Sequence, residues 1–407
     1  MVGAPAYRAM LTGIGWVSPF GVGGAALVAE MLTANVSAIR PVTHGATPGR
    51  RSQLAAQVPA ACLPETDESR RWSRVSYMTV LACRQALAEA SLDSAVVPGP
   101  VGLVVGSHYG DLRSTEAFCQ GFLRKGPLGL SPLLFPSTVM NAMAGMSSIA
   151  LGLKGPMLTV NQSGVAGELA VARAVALLRA GRAQAVLACG VDEVLPLLYD
   201  TLAQMRVLSP RDAGEEACRP FDQRHNGPIL GEGATAVLLE TPEHARARGA
   251  PILAEVRGVC WGGIPTRPGH VPHRTPRPPS VIAQALRDAA LRPEDIELAY
   301  VSGNGEPQHD ARELDCLADI FGTPGPLLTS ITHLTGDYGS LGTLRVAAAA
   351  LTLRQGVCAR LAYLDKPLRP ALRFTTAPLT KPPATVLVHG LAMGGTHIAI
   401  VLGGPSA

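Results

Sequence analysis

The chain has 407 residues, of which 47% are hydrophobic, 16% charged and 4% aromatic, with 44 glycines and 34 prolines. Its apolar content excludes a disordered chain, and its length calls for one large two-part domain or two core-forming units. The net charge of +4 sets 35 basic against 31 acidic residues, and the basic ones are scattered, without the clustering that nucleic-acid binding needs.

The opening residues, MVGAPAYRAMLTGIGWVSPFG, lack the charged start and unbroken apolar core of a secretion signal. No segment reaches about 18 uninterrupted apolar residues, so no membrane span is expected and a cytoplasmic location follows. Short apolar runs predict buried strands at 9–15, 101–107, 157–162, 183–190 and 234–240. Further runs at 252–260, 298–303, 385–390 and 397–403 do the same in the second half. Ala-rich stretches with helical spacing lie at 78–92, 166–180, 281–291 and 344–354. Alternating strands and helices imply an α/β fold with sheets sandwiched by helices. The two halves repeat this pattern, which divides the chain into 1–241 and 242–407. The Pro-rich stretch IPTRPGHVPHRTPRPPS (264–280) reads as a long surface loop inside the second half.

The eight cysteines, Cys62, Cys83, Cys119, Cys189, Cys218, Cys260, Cys316 and Cys358, form no CxxC pair. They read as reduced thiols, not as a disulfide framework or zinc site. His108, His225, His270, His273, His309, His333, His389 and His397 show no metal-ligand spacing. No dinucleotide or P-loop motif stands in the right context, so no cofactor is expected.

Four stretches carry a family resemblance across nearly the whole chain. They are TGIGWVSPFG (12–21), MNAMAGMSSIALGLKGP (140–156), CRPFDQRHNGPILGEGATAVLLE (218–240) and GTHIAIVLG (395–403). With these the chain resembles the β-ketoacyl synthases of the thiolase superfamily. The resemblance implies a thiolase-like five-layered αβαβα sandwich of two similar halves, dimerising along the strand before the nucleophile turn. It also implies a Cys-His-His site, with the Cys at a helix N-terminus and the histidines stabilising the enolate from malonyl decarboxylation.

All three catalytic positions differ here. Gly164, in TVNQSGVAGELAV (159–171), takes the place of the Cys. Ser302, Gly303 and Asn304 occupy the segment of the first histidine, aligned by Pro307, Asp310 and Glu313. In THLTGDYG (332–339), Thr332 stands at the Lys position and Asp337 at the second His position. Glycine can neither attack a thioester nor carry an acyl chain, and Asp337 would repel a malonyl carboxylate.

Ser163 is the candidate for a displaced nucleophile, although no motif places a base beside it. Gln162 stands two positions before the place where chain-length factors carry a Gln, and is expected to hydrogen bond across the dimer strand. Asp111 falls where the family lines its acyl tunnel, with a helix N-cap as the alternative. Phe118, Phe122 and Phe135 fall where chain-length factors shape a partner's tunnel, with core packing as the alternative. Pro228 and Met393 replace aromatics usual around the family's site.

The resemblance therefore points to a catalytically silent subunit of the chain-length-factor kind, the inactive partner in type II polyketide synthases. Its implied partners are an active ketosynthase and, through the complex, an acyl carrier protein. Two alternatives stay open: an acyltransferase or thioesterase using Ser163, and a homodimeric scaffold.

Overall fold

In the computed structural model the described residues are 8–43, 51–67, 69–92, 100–212, 214–267, 270 and 280–405. Most of the expected 264–280 loop, including His273, lies outside them.

The first half contributes strands β1 (Ala9–Ser18), β2 (Val101–Ser107), β3 (Met157–Asn161), β4 (Ala185–Asp192) and β5 (Gly233–Glu240). Its main helices are α1 (Arg74–Glu89), α2 (Leu112–Lys125), α3 (Ala142–Leu151) and α4 (Ala166–Arg179). The second half contributes β6 (Ala254–Gly263), β7 (Leu298–Tyr300), β8 (Leu327–Thr329), β9 (Thr385–Leu391) and β10 (Thr396–Gly403). Helices α5 (Val281–Asp288), α6 (Pro307–Phe321) and α7 (Gly342–Gln355) accompany them.

Sheet order demonstrates the internal repeat. The first half runs β3-β2-β4-β5-β1 and the second runs β8-β7-β9-β10-β6, which is third, second, fourth, fifth, first in both. The two first strands, β1 and β6, meet antiparallel through Ala9↔Val256, Met10↔Glu255 and Leu11↔Ala254. The sheets expected from the sequence are thus joined into one twelve-stranded sheet along a single hydrogen-bonded path, with the short strand 373–374 at its end and the short strand 21–23 paired to β1 off the path.

The period of two along each strand sorts side chains into three packed interiors. On β2, Leu103 and Val105 pack outward with Met78 and Ala82 of α1, while Val104 faces inward with Val171 of α4. On β10, Ala399 and Val401 pack outward with Leu286 of α5 and Leu314 of α6, while Ile398 and Ile400 face inward. Helices α4 and α7 fill the inner layer between both sheets. This gives the five αβαβα layers of a thiolase-like fold, with α7 buried from Gly342 to Leu353. A helix wrapped on every side by apolar surface needs small residues, and its Ala347–Ala350 run supplies them. The two inner helices share a buried ion pair, Glu168–Arg345.

One end of the path is covered by the short strand at 373–374, which pairs with β8. At the other end, β3 pairs with β2 and, among the described residues, no strand covers its outer edge.

Candidate functional site

The turn that interrupts β3 and α4 has the geometry its small residues suggest. Gly164 sits between Asn161 and Ala166 with φ 73°, a conformation glycine adopts without steric cost. A Cβ at this position would lie 3.3 Å from Ala392 Cβ and 4.0 Å from Leu391 O. The Ala392 contact is tighter than a Cβ ordinarily makes, so Ala392 would have to give by a few tenths of an ångström in addition to the strain of the backbone conformation. The Gly164→Cys variant is expected to fold at a cost of about 1 kcal/mol in urea melts. It is expected to form no condensation product from acyl and malonyl thioesters by mass spectrometry, because no histidine pair accompanies the thiol. A β-ketoacyl product from this single variant would contradict that.

Ser163 gains no catalytic partner. Its carbonyl accepts Val165 N at 2.9 Å, and among the described residues no imidazole bonds its hydroxyl. Gln162 donates its side-chain amide to Thr396 Oγ1 of the same chain at 3.0 Å.

The other altered positions converge on this turn from the second half. Ser302 Oγ donates to Glu313 Oε1 at 2.7 Å and accepts Leu391 N at 3.0 Å, one residue from the Ala392 that faces Gly164. Its hydroxyl is therefore spent on structure. Asn304 Nδ2 donates to Asp337 Oδ2 at 2.7 Å, joining the two segments that would each carry a histidine. Thr332, at the Lys position, donates to Gly303 O at 2.8 Å. Glu306 pairs with Arg211 at 2.6 Å and accepts His309 N at 2.6 Å, capping α6.

Several residues near Asp337 were not singled out by their sequence context. His108 and Tyr109 stack at 3.9 Å on the turn after β2, and a side chain at Gly339 would collide with His108. Asp192, at the end of β4, accepts His108 N, Tyr109 N and Ser107 Oγ on one oxygen and Ser340 N on the other. It stitches this turn to the one that carries Asp337. Burial holds the His108 imidazole below its ordinary range, against the charges of Asp192 and Asp337. Burial and the same two carboxylates push the Tyr109 phenol up to about 12. The signal in the sequence is a carboxylate closing the apolar run AVLACGVD, where burial demands several donors.

Cys218 stands 4.0 Å from the Asn304 carbonyl. Burial, and the charges of Asp337 and Asp310, push its thiol far above the usual range. It supplies no thiolate to replace the missing one.

The tunnel candidates divide. Asp111 caps α2, accepting Ser114 N at 2.9 Å and Ser114 Oγ at 2.7 Å, so both of its oxygens are used and the N-cap alternative fits. Phe118 and Phe135 lie 5.9 Å apart, yet Phe135 is 57% and Phe122 48% exposed, which rules out core packing for these two in the single chain. They join an apolar surface with Leu123, Leu128, Leu133 and Ile149, all at least 79% exposed. Among the described residues no group of three His, Cys, Asp or Glu side chains could hold a metal ion.

Comparison with known proteins gives consistent matches. Residues 8–245 match the beta-ketoacyl synthase N-terminal domain and residues 254–365 its C-terminal domain. A 3-oxoacyl-[acyl-carrier-protein] synthase 2 from Coxiella burnetii is 29% identical, over 97% of this chain and 98% of its own. Nodulation protein E from Rhizobium sp. (strain N33) is 30% identical, over 86% of this chain and 87% of its own. The solved structure of the ishigamide ketosynthase/chain length factor superposes with a TM-score of 0.83 at 23% identity, covering 98% of this chain and 100% of that one.

Proposed function

The chain belongs to the β-ketoacyl synthase family, and from that premise we propose that it is a catalytically silent subunit of the chain-length-factor kind. It pairs with an active ketosynthase and shapes the tunnel for a growing polyketide chain. The observation that carries this reading is the state of the altered positions. Gly164 has no side chain, and Ser302, Asn304 and Asp337 are committed to bonds with Glu313, Leu391 and each other. Condensation needs an attacking thiolate and donors aimed at the developing oxyanion and enolate. Losing several members of one catalytic unit leaves little of its chemistry.

The open edge of β3 and the neighbouring apolar surface support a protein partner. Phe118, Phe122 and Phe135 belong to this partner-facing side and are the residues assigned to tunnel shape. An acyl carrier protein would be served through the complex. We place the junction of the halves between 241 and 242 and the complex in the cytoplasm, a setting that suits eight free cysteines.

The name of the Coxiella burnetii relative, a 3-oxoacyl-[acyl-carrier-protein] synthase 2, makes an active synthase the competing reading. Co-expression with a ketosynthase that keeps Cys-His-His separates the two. The expected result is a 1:1 complex on size exclusion, with condensation only when both chains are present. Condensation by this chain alone, or a homodimer indifferent to the ketosynthase, would overturn the proposal. In the same complex, Phe118→Ala and Phe135→Ala are expected to lengthen the product, read by mass spectrometry. Unchanged length in both would remove them from the tunnel.

A further inference from the structure

A cleft of about 1150 Å³ opens in the first half, between the helix Ala25–Ala34, the short strands at 40–41 and 54–56, and the start of α1. None of Gly164, Ser302, Asn304 or Asp337 lines it. Its floor is apolar, built from Phe20, Met31, Val58, Trp72 and Tyr77, of which Met31 and Val58 are almost fully buried. An apolar floor of this extent with a few polar groups gathered at one end is the usual form of a small-molecule site.

The polar end is made by Arg74 and Arg113, and both guanidiniums are held from behind. Glu232 Oε1 accepts Arg74 Nη2 at 2.6 Å and Val58 N at 2.8 Å, while its Oε2 accepts Val194 N at 2.8 Å. Glu193 Oε2 accepts Arg113 Nε at 3.2 Å and Nη2 at 3.0 Å, and lies 3.7 Å from Arg74 Nε. Glu232, the carboxylate that lines this end, therefore has both oxygens occupied by the protein. The Nη1 of each guanidinium has no hydrogen-bond partner among the described residues, and neither has the indole N–H of Trp72. The other two lining carboxylates, Glu30 and Glu65, stand exposed on the rim, with Glu65 3.9 Å from Arg70. The side chains of the inner end thus offer N–H donors and no spare carboxylate oxygen. Two guanidiniums fixed in place by the groups behind them match a carboxylate from the ligand.

We propose that this cleft binds an amphipathic carboxylic acid, whose long apolar body lies over Phe20, Met31 and Trp72 and whose carboxylate takes the free Nη1 of Arg74 and Arg113. Glu193 and Glu232 balance the two arginines, so the apolar body supplies the larger share of the affinity and the head group sets the orientation. All the groups named belong to one chain. The inference therefore stands whichever partner the chain takes, and whether or not the chain is catalytically silent.

Calorimetry of the full chain with dodecanoate and with its methyl ester tests this. Dodecanoate is expected to bind once per chain, and the ester at least tenfold more weakly. Arg113→Gln is expected to weaken dodecanoate to the level of the ester and to leave the ester unchanged, while Leu27→Trp, which fills the cleft, abolishes the binding of both. Should a variant fail to fold, hydrogen–deuterium exchange of the unmodified protein locates the site. Dodecanoate is then expected to protect 57–63 and 72–77, and to leave 391–395 beside Gly164 as it was. Equal binding of acid and ester, binding that survives both substitutions, or protection centred on 391–395 would sink the proposal, as would an unmodified protein that binds no dodecanoate.

Discussion

Lowering the pH from 7 to 5 is expected to lower the unfolding free energy by about 4 kcal/mol, through two buried neutral histidines. Burial pushes His333 down to about 4, against the carbonyls of Arg360 and Ser330, and its ring packs edge-on to Tyr363 at 5.2 Å. Burial and positive neighbours push His397 down to about 3. Both folded values lie below the ordinary 6.5, so between pH 6.5 and 4 the unfolded chain binds protons that the folded chain refuses. The stabilisation is therefore complete above 6.5 and lost as pH falls, at about 2 kcal/mol per ring by pH 5. His309 acts at the other end. Its raised value means its contribution is full below 6.5 and disappears as pH rises through about 9. The buried carboxylates Asp192 and Glu193, whose values burial raises, oppose the acid loss in part. Against a typical total of about 5–15 kcal/mol, the histidine effect is large. Urea melts at pH 7 and pH 5 measure it, as a lower midpoint at unchanged slope. His397→Asn should recover about half of the difference. A midpoint that does not move between the two pH values would refute the assignment.

The sequence made the architecture legible because strand and helix signals were strong where burial is two-sided. Runs such as VGLVVGS (101–107) and TVLVHGL (385–391) are apolar on both faces, as inner strands between helix layers must be. The short β8 escaped notice since three residues, Leu327–Thr329, carry no period. Helix α6 escaped for a different reason. Its buried His309, Asp310 and Glu313 break the apolar stripe, because those side chains brace the 302–306 segment instead of filling a core. At the site, the altered identities of Gly164, Ser302 and Asp337 were visible at once, but their bonding was not. Ser302 and Glu313 are eleven residues apart in sequence and meet only when β7 and α6 are packed, and Asp192 reaches Ser340 from 148 residues away. Gln162 adds a contact that the sequence did not show, its side-chain amide donated to Thr396 of β10 within the chain.

Thr159→Pro is expected to weaken the complex with a ketosynthase at least a hundredfold while leaving the fold of the single chain intact. The reason lies in which way the backbone of β3 points. Leu103 N donates to Pro156 O and Gln162 N donates to Ser107 O, so the even-numbered residues of β3 turn their backbone groups toward β2. In a parallel ladder the odd-numbered ones, Met157, Thr159 and Asn161, then turn theirs outward. Proline at 159 removes an outward N–H and spares the inner ladder. The apolar side chains around this edge supply the remaining drive. Met157 is 43% and Leu158 41% exposed, while Leu128 and Leu133 are 95% and 90% exposed. A lone chain gains nothing from showing so much apolar surface beside an open strand edge, and a partner strand satisfies both at once. Leu158→Glu attacks the same edge through its side chain and guards against a proline effect confined to the strand. Size exclusion and calorimetry of both variants with the ketosynthase give the test. A complex that survives both with unchanged affinity would place the interface elsewhere on the molecule, and would take from the silent-subunit reading the surface on which it depends.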